Sequence, residues 1–145
     1  PRSEFKFSFP FRVRYSEVDG QKIVFNAHYL TYFDTAITEY FRELPYDYMG
    51  QVDRIGEDFH TVKTLVEYQQ PIYFDQDIDV LVRTSRMGRS SLTFEVQIHP
   101  RDADDVLASG EVVWVNADQT THSSAAVPEE LAEKLVAFEG DALKG

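Results

Sequence analysis

Before the C-terminal tail, only one long stretch repeats its apolar residues at helical spacing. From Ala27 to Leu44, the residues Leu30, Phe33, Ile37, Tyr40, Phe41 and Leu44 recur every three or four positions, which sets them on one face of an α-helix. Tyr29, Tyr32 and Ala36 make a second, partly apolar face, and the polar residues among them are short, namely Thr31, Asp34, Thr35 and Thr38. A helix apolar around so much of its circumference belongs inside a fold. Most of the rest, up to about Ala117, alternates with a period of two. The chain therefore has one helix to enclose and strands to enclose it with.

The alternation is cleanest from Ser91 to His99, where Leu92, Phe94, Val96 and Ile98 oppose Thr93, Glu95, Gln97 and His99. The same period predicts strands over Phe7–Tyr15, Thr61–Gln69, Asp77–Ser85 and Val106–Asn116. Pro10 points to an edge position or a bulge in the first of these. Val113 and Val115 lie opposite Val112 and Trp114, so the last strand is expected to be central or covered on both sides. Gln51–Phe59 is polar and reads as a crossing loop. Pro128-Glu-Glu opens a short second helix over about 128–139, with proline and acids where a helix start favours them. Strand, long helix, then four antiparallel strands is an α+β order, with the helix on an antiparallel sheet of about five strands. The whole of 1–145 is expected to be a single domain, since 145 residues is an ordinary domain length.

Composition removes several function classes. No cysteine is present, so disulfides, thiolate metal sites and thiol nucleophiles are excluded. A net charge of −11 argues against nucleic acid and against anionic membranes, whose phosphates would repel it. No apolar run reaches the ~20 residues that span a bilayer, and the N-terminal segment has no signal-peptide core. The expected location is the cytoplasm. His28, His60, His99 and His122 show no metal-ligand spacing, so no metal is expected. Ser123-Ser124 lacks the nucleophile-elbow context of a serine hydrolase.

What chemistry remains centres on the connection before the helix. Asp19 lies in a turn beside Gly20, just ahead of Asn26, which stands where a helix N-cap would be. A carboxylate there is either a nucleophile or a general base, or it merely turns the chain. The helix start just downstream offers unpaired N–H groups and a partial positive charge, suited to an oxyanion developing on a carbonyl. Together these suffice for acyl transfer to water without metal or cysteine. Glu17 is a further carboxylate close to Asp19 in sequence, and a like-charge neighbour raises a carboxyl pKa. Arg83, Arg86 and Arg89, with Ser90 and Ser91 beside them, gather at one turn and are the best anion-binding candidates in an acidic chain.

Arg14-Tyr-Ser-Glu-Val-Asp19, followed by Phe25-Asn-Ala-His-Tyr29 and Leu30-Thr-Tyr-Phe-Asp-Thr-Ala36, resembles the signature of the 4-hydroxybenzoyl-CoA thioesterase-type hotdog proteins. Tyr68 with Pro71, Phe74 to Val80, Gly88-Arg-Ser-Ser91-Leu, Ala108-Ser-Gly110 and Pro128 are similar to residues that the family carries at corresponding places. The resemblance implies a hotdog fold, a sheet wrapped around the central helix at about 27–44, and hydrolysis of an acyl-CoA thioester by a homodimer or homotetramer. It places the catalytic aspartate on Asp19 and the carbonyl-polarising backbone N–H at Asn26. It sets the acyl group near Tyr29 and Tyr32 and lets the arginine turn take the nucleotide end of CoA. CoA is then part of the substrate, and no separate cofactor is expected. Two residues depart from the family pattern. Lys22 stands where many relatives have glycine, and Asn26 stands where one branch has histidine. The alternatives on the same fold are a non-catalytic acyl-CoA or acyl-carrier-protein binding module and a dehydratase of 3-hydroxyacyl thioesters. The dehydratase would need a paired acid and histidine that this turn lacks.

Overall fold

The computed structural model describes residues 1–143. Residues 144 and 145, which the sequence reading includes in the domain, lie outside the described residues. The strands are β1 (Phe7–Arg12), β2 (Glu57–Tyr68), β3 (Asp77–Met87), β4 (Ser91–Pro100) and β5 (Ala108–Asp118), and the helices are α1 (His28–Glu43), α2 (Gln51–Ile55) and α3 (Glu129–Glu139). The strands form one sheet in the order β1-β3-β4-β5-β2, with every neighbouring pair antiparallel. β3, β4 and β5 follow one another in space as in sequence. β2 instead pairs with β5, so the segment after it must cross the end of the sheet to reach β3.

α1 packs on one face of that sheet. Its buried residues are Tyr29, Tyr32, Phe33, Ala36, Ile37, Tyr40 and Phe41. They meet Leu92, Phe94, Val96 and Ile98 of β4, together with Val112 and Trp114 of β5. Phe41 stacks on Trp114 with ring centres 5.5 Å apart, and Phe94 meets the same indole edge-on at 5.0 Å. Offset and edge-to-face aromatic pairs of this kind add about 0.5–1.5 kcal/mol beyond burial. Gly110 lies where a Cβ would strike the Phe33 ring and the carbonyl oxygen of Leu65. The glycine is thus required by close approach of helix to sheet.

Several boundaries differ from the sequence reading, each for a local reason. β1 ends at Arg12, not Tyr15, because the chain turns into a 3₁₀ segment over Tyr15–Glu17 and the Glu17 carboxylate takes the Arg14 N–H. The core stripe of α1 begins at Tyr29, and Leu30 is exposed. Asn26 is not the N-cap; that position falls on Ala27, which makes no side-chain cap. The polar run from Gln51 is not a loop. It holds α2 and the start of β2, and the Gln51 amide is buried, donating to Asn116 Oδ1 and the Glu57 carbonyl while accepting from the Tyr46 hydroxyl. Its polarity serves an internal network, which periodicity cannot distinguish from solvent exposure.

Candidate active site

The segment between β1 and α1 is folded back on itself. Val18 bridges Val24, the Asp19 N–H donates to the Ile23 carbonyl, and the Lys22 N–H returns to the Asp19 carbonyl. The Asp19 side chain is exposed, and its Oδ1 accepts the Gln21 N–H at 2.8 Å. The crossing segment after β2 braces this hairpin from outside, through Val24 N–H to the Ile72 carbonyl and an Ile23–Tyr73 bridge. Lys22 closes the turn at φ +63°, in the left-handed region that favours glycine.

Between the hairpin and the end of β2 lies a cavity of about 430 Å³, walled by Asp19, Ile23, Val24, Phe25, Asn26, Tyr29, Tyr68, Gln69, Gln70 and Pro71. α1 starts at its edge. The His28 N–H bonds the Phe25 carbonyl and the Tyr29 N–H bonds the Asn26 carbonyl, whereas no acceptor among the described residues takes the Asn26 N–H. Tyr29 and Tyr68 close the floor edge-to-face at 4.7 Å. Burial, followed by the neighbouring Tyr68, raises the Tyr29 hydroxyl above its usual range, so it stays protonated at neutral pH. The cavity thus combines a solvent-facing carboxylate, a free backbone donor at a helix start and an aromatic floor.

Residues 13–135 match the family described as the thioesterase-like superfamily. The chain belongs to that superfamily. Among curated relatives, the acyl-CoA thioester hydrolase YbgC of Escherichia coli O6:H1 is 26% identical over 130 residues, covering 89% of this chain and 95% of that one. Among solved structures, the PA5185 protein of Pseudomonas aeruginosa superposes with a TM-score of 0.83 at 26% identity, over 97% of this chain and 96% of the other. The 1,4-dihydroxy-2-naphthoyl-CoA thioesterase Slr0204 of Synechocystis also reaches a TM-score of 0.83, at 13% identity over 92% and 97% of the two chains, a likeness of fold. The five-stranded antiparallel sheet and its helices are those of the hotdog fold that members of this superfamily share.

Of the residues singled out in the sequence of this superfamily member, the structure brings Asp19, Asn26 and Tyr29 to one cavity. Tyr32 lies beneath them, fully buried, its hydroxyl donating to Glu17 Oε1 at 2.8 Å. The arginine turn is elsewhere. Ser91 pairs with Val115, while at the far end of the same strands Ile98 pairs with Ala108, the partner of Tyr68; at ~3.3 Å per residue the two ends are about 23 Å apart. Arg83 is engaged by Glu95 at 2.7 Å and lies over the Phe5 ring at 5.3 Å, whereas Arg86 and Arg89 form no ion pair among the described residues. Ser90 and Ser91 serve the fold locally, the Ser90 carbonyl accepting the Asn116 N–H and the Ser91 carbonyl the Gly88 N–H.

Gln69 and Gln70 were not singled out from sequence. The signal available was a polar pair held between a strand-ending Tyr68 and Pro71, where a chain leaving a sheet edge exposes its side chains. Glu17 does not sit free beside Asp19. Burial alone would raise its carboxyl, but hydrogen bonds from the Arg14 side chain and backbone and from Tyr32 hold it below the usual carboxylate range. Among the described residues, no cluster of His, Asp and Glu is arranged to hold a metal ion, and no helix is long and apolar enough to cross a membrane.

Proposed function

We propose that this protein hydrolyses an acyl-CoA thioester to the free acid and CoA, with Asp19 and the Asn26 N–H as its working groups. The observation that carries this reading is their shared cavity: an exposed carboxylate and an unpaired backbone donor at the start of α1. The names of its relatives supply the substrate class. The thioester carbonyl oxygen would accept the Asn26 N–H, whose dipole grows in effect as negative charge develops there. Asp19 then acts in one of two ways. It attacks the carbonyl carbon, expelling CoA as thiolate and leaving a mixed anhydride that water cleaves, or it takes a proton from the attacking water. Tyr29 and Tyr68 would flank the acyl group.

The same reading takes α1 as the central helix around which the sheet curls, in keeping with its seven buried residues. It also takes the working unit to be a homodimer or homotetramer. β2 supports this, being a 12-residue strand at the sheet edge with Val62, Leu65 and Tyr68 exposed, and it ends at the cavity wall. Exposed edges of this length invite a second chain. Arg86 and Arg89 would meet the nucleotide phosphates of a CoA held at a neighbouring copy, since their own cavity lies at the other end of the sheet.

The test is steady-state hydrolysis across short, long and aromatic acyl-CoAs, comparing the wild type with Asp19→Asn and Asp19→Ala. Both variants should stay folded and lose about 10²–10⁴-fold in kcat. Undiminished turnover in both would remove Asp19 from the chemistry. Saturable CoA binding with no turnover of any thioester by the wild type would make the protein a binding module.

A further inference from the structure

Glu17 is one of the few charged residues of the chain that is buried, at 4% exposure, and every acceptor site it has is taken. Oε1 accepts the Arg14 N–H at 2.8 Å and the Tyr32 hydroxyl at 2.8 Å, while Oε2 accepts Arg14 Nε at 2.9 Å and Arg14 Nη2 at 2.5 Å. Its backbone is committed as well. The Glu17 N–H donates to the Arg14 carbonyl, and its carbonyl accepts the Phe25 N–H, one residue before Asn26. One residue therefore joins the end of the first strand, the chain entering the helix, and the second turn of α1 through Tyr32. The side chains of Asp19 and Asn26 are exposed and have no such buried anchor. Asp19 is exposed, and its side chain bonds only within its own turn, to Gln21. Glu17 holds the loop that carries it from the strand and helix side, while the crossing segment braces it from outside through Val24 N–H to the Ile72 carbonyl and Phe74 N–H to the Lys22 carbonyl.

Burying a carboxylate for fold stability alone is a poor trade, because a well-packed apolar residue often does as well. What a buried, fully satisfied carboxylate provides is a single fixed geometry. Catalytic groups need that, since a misplacement of about 1 Å can cost on the order of 10²-fold in rate.

We infer that Glu17, acting through Tyr32 and Arg14, is a positioning residue that fixes the Asp19 turn against the Asn26 N–H at the start of α1. This rests on the reading of Asp19 as the reactive carboxylate. Glu17 does not line the cavity, so it acts on turnover and not on substrate contact.

Two isosteric variants test it in the intact protein, using whichever acyl-CoA the wild type hydrolyses fastest. Tyr32→Phe removes one hydroxyl and leaves Glu17 paired with Arg14. Glu17→Gln places an amide N–H₂ among groups that are all donors. Each should lower kcat by about tenfold or more while KM changes less than about twofold, the pattern of a lost transition-state interaction. In the Asp19→Asn background the added loss should shrink to less than about twofold, because residues acting as a unit are not additive. A folded Tyr32→Phe protein with wild-type kcat overturns the inference, even if Glu17→Gln fails to fold. So does a loss of equal size with and without Asp19. Wild-type turnover in Asp19→Asn itself is a separate result, which overturns the proposed function and this inference with it.

Discussion

Lys22 holds a left-handed backbone in the turn that presents Asp19. Its departure from glycine was visible, but its meaning required φ, which is +63°. A left-handed residue with a Cβ costs roughly 1–2 kcal/mol, and here that strain sits in the turn that presents Asp19. The position of Asp19 could be read because an acid before a helix has a chemical use. The role of Glu17 could not, because its meaning lies in contacts 3 and 15 positions away, and no local pattern marks them. His99 is a second buried ionisable group, with no exposed surface. Its Nδ1 accepts the Asp105 N–H at 3.0 Å, Nε2 faces Gln97 Oε1 at 2.9 Å, and Asp104 stands 3.8 Å from the ring. Burial, then the charge of Arg2, holds its pKa below the ordinary 6.5. The unfolded chain therefore takes up a proton that the folded one resists. Stability should be level above pH 6.5 and fall as the pH drops through the folded value. Thermal melts from about pH 7.5 to 5.5 should show this decline in the wild type and a flatter profile in His99→Gln. Glu17, also depressed, adds its own loss only below its unfolded value of about 4.5.

At the scale of elements, strong periodicity was read well and weak periodicity was not. β4 alternates as far as Ile98, with Leu92, Phe94, Val96 and Ile98 all fully buried and only the adjoining His99 breaking the pattern by being buried as well, and its limits match the sequence reading to within a residue at His99–Pro100. It is the middle strand of five, so its inward face sees only core. β2 was read as a strand from Thr61 to Gln69 and ends at Tyr68, but it begins four residues earlier, at Glu57, because it is an edge strand. Most of its side chains are exposed whichever face they occupy, and a bulge between Thr61 and Lys63 shifts the alternation midway. α1 was recognised, yet its buried stripe was set one residue late, because Tyr29 faces a cavity wall and Leu30 faces solvent. Gly110 on β5 is the tightest point between helix and sheet. Gly110→Ala should drive a methyl group into Phe33 and the Leu65 carbonyl and destabilise the protein by about 1–3 kcal/mol in urea unfolding. An unchanged midpoint would mean that α1 can lift from the sheet without penalty.

For the molecule as a whole, one edge of the sheet is managed and the other is open. β1 carries Pro10, which has no N–H to offer a further strand. β2 has no proline and leaves Val62 60% and Leu65 42% exposed. Light scattering should therefore give at least twice the chain mass, and the double variant Val62→Lys/Leu65→Lys should lower it toward a monomer. A monomeric wild type at micromolar concentration would end the proposal of a shared site. β2 joins β5 and not its neighbour in sequence, β3. The N–H groups of Gln69 and Gln70 are both held by the carbonyl of Leu107, so the cavity wall waits on a residue synthesised long after the Asp19 turn. Non-local pairing of this kind is slow to form. During refolding, catalytic activity should return last, with the docking of β5, after helical signal from α1 has recovered.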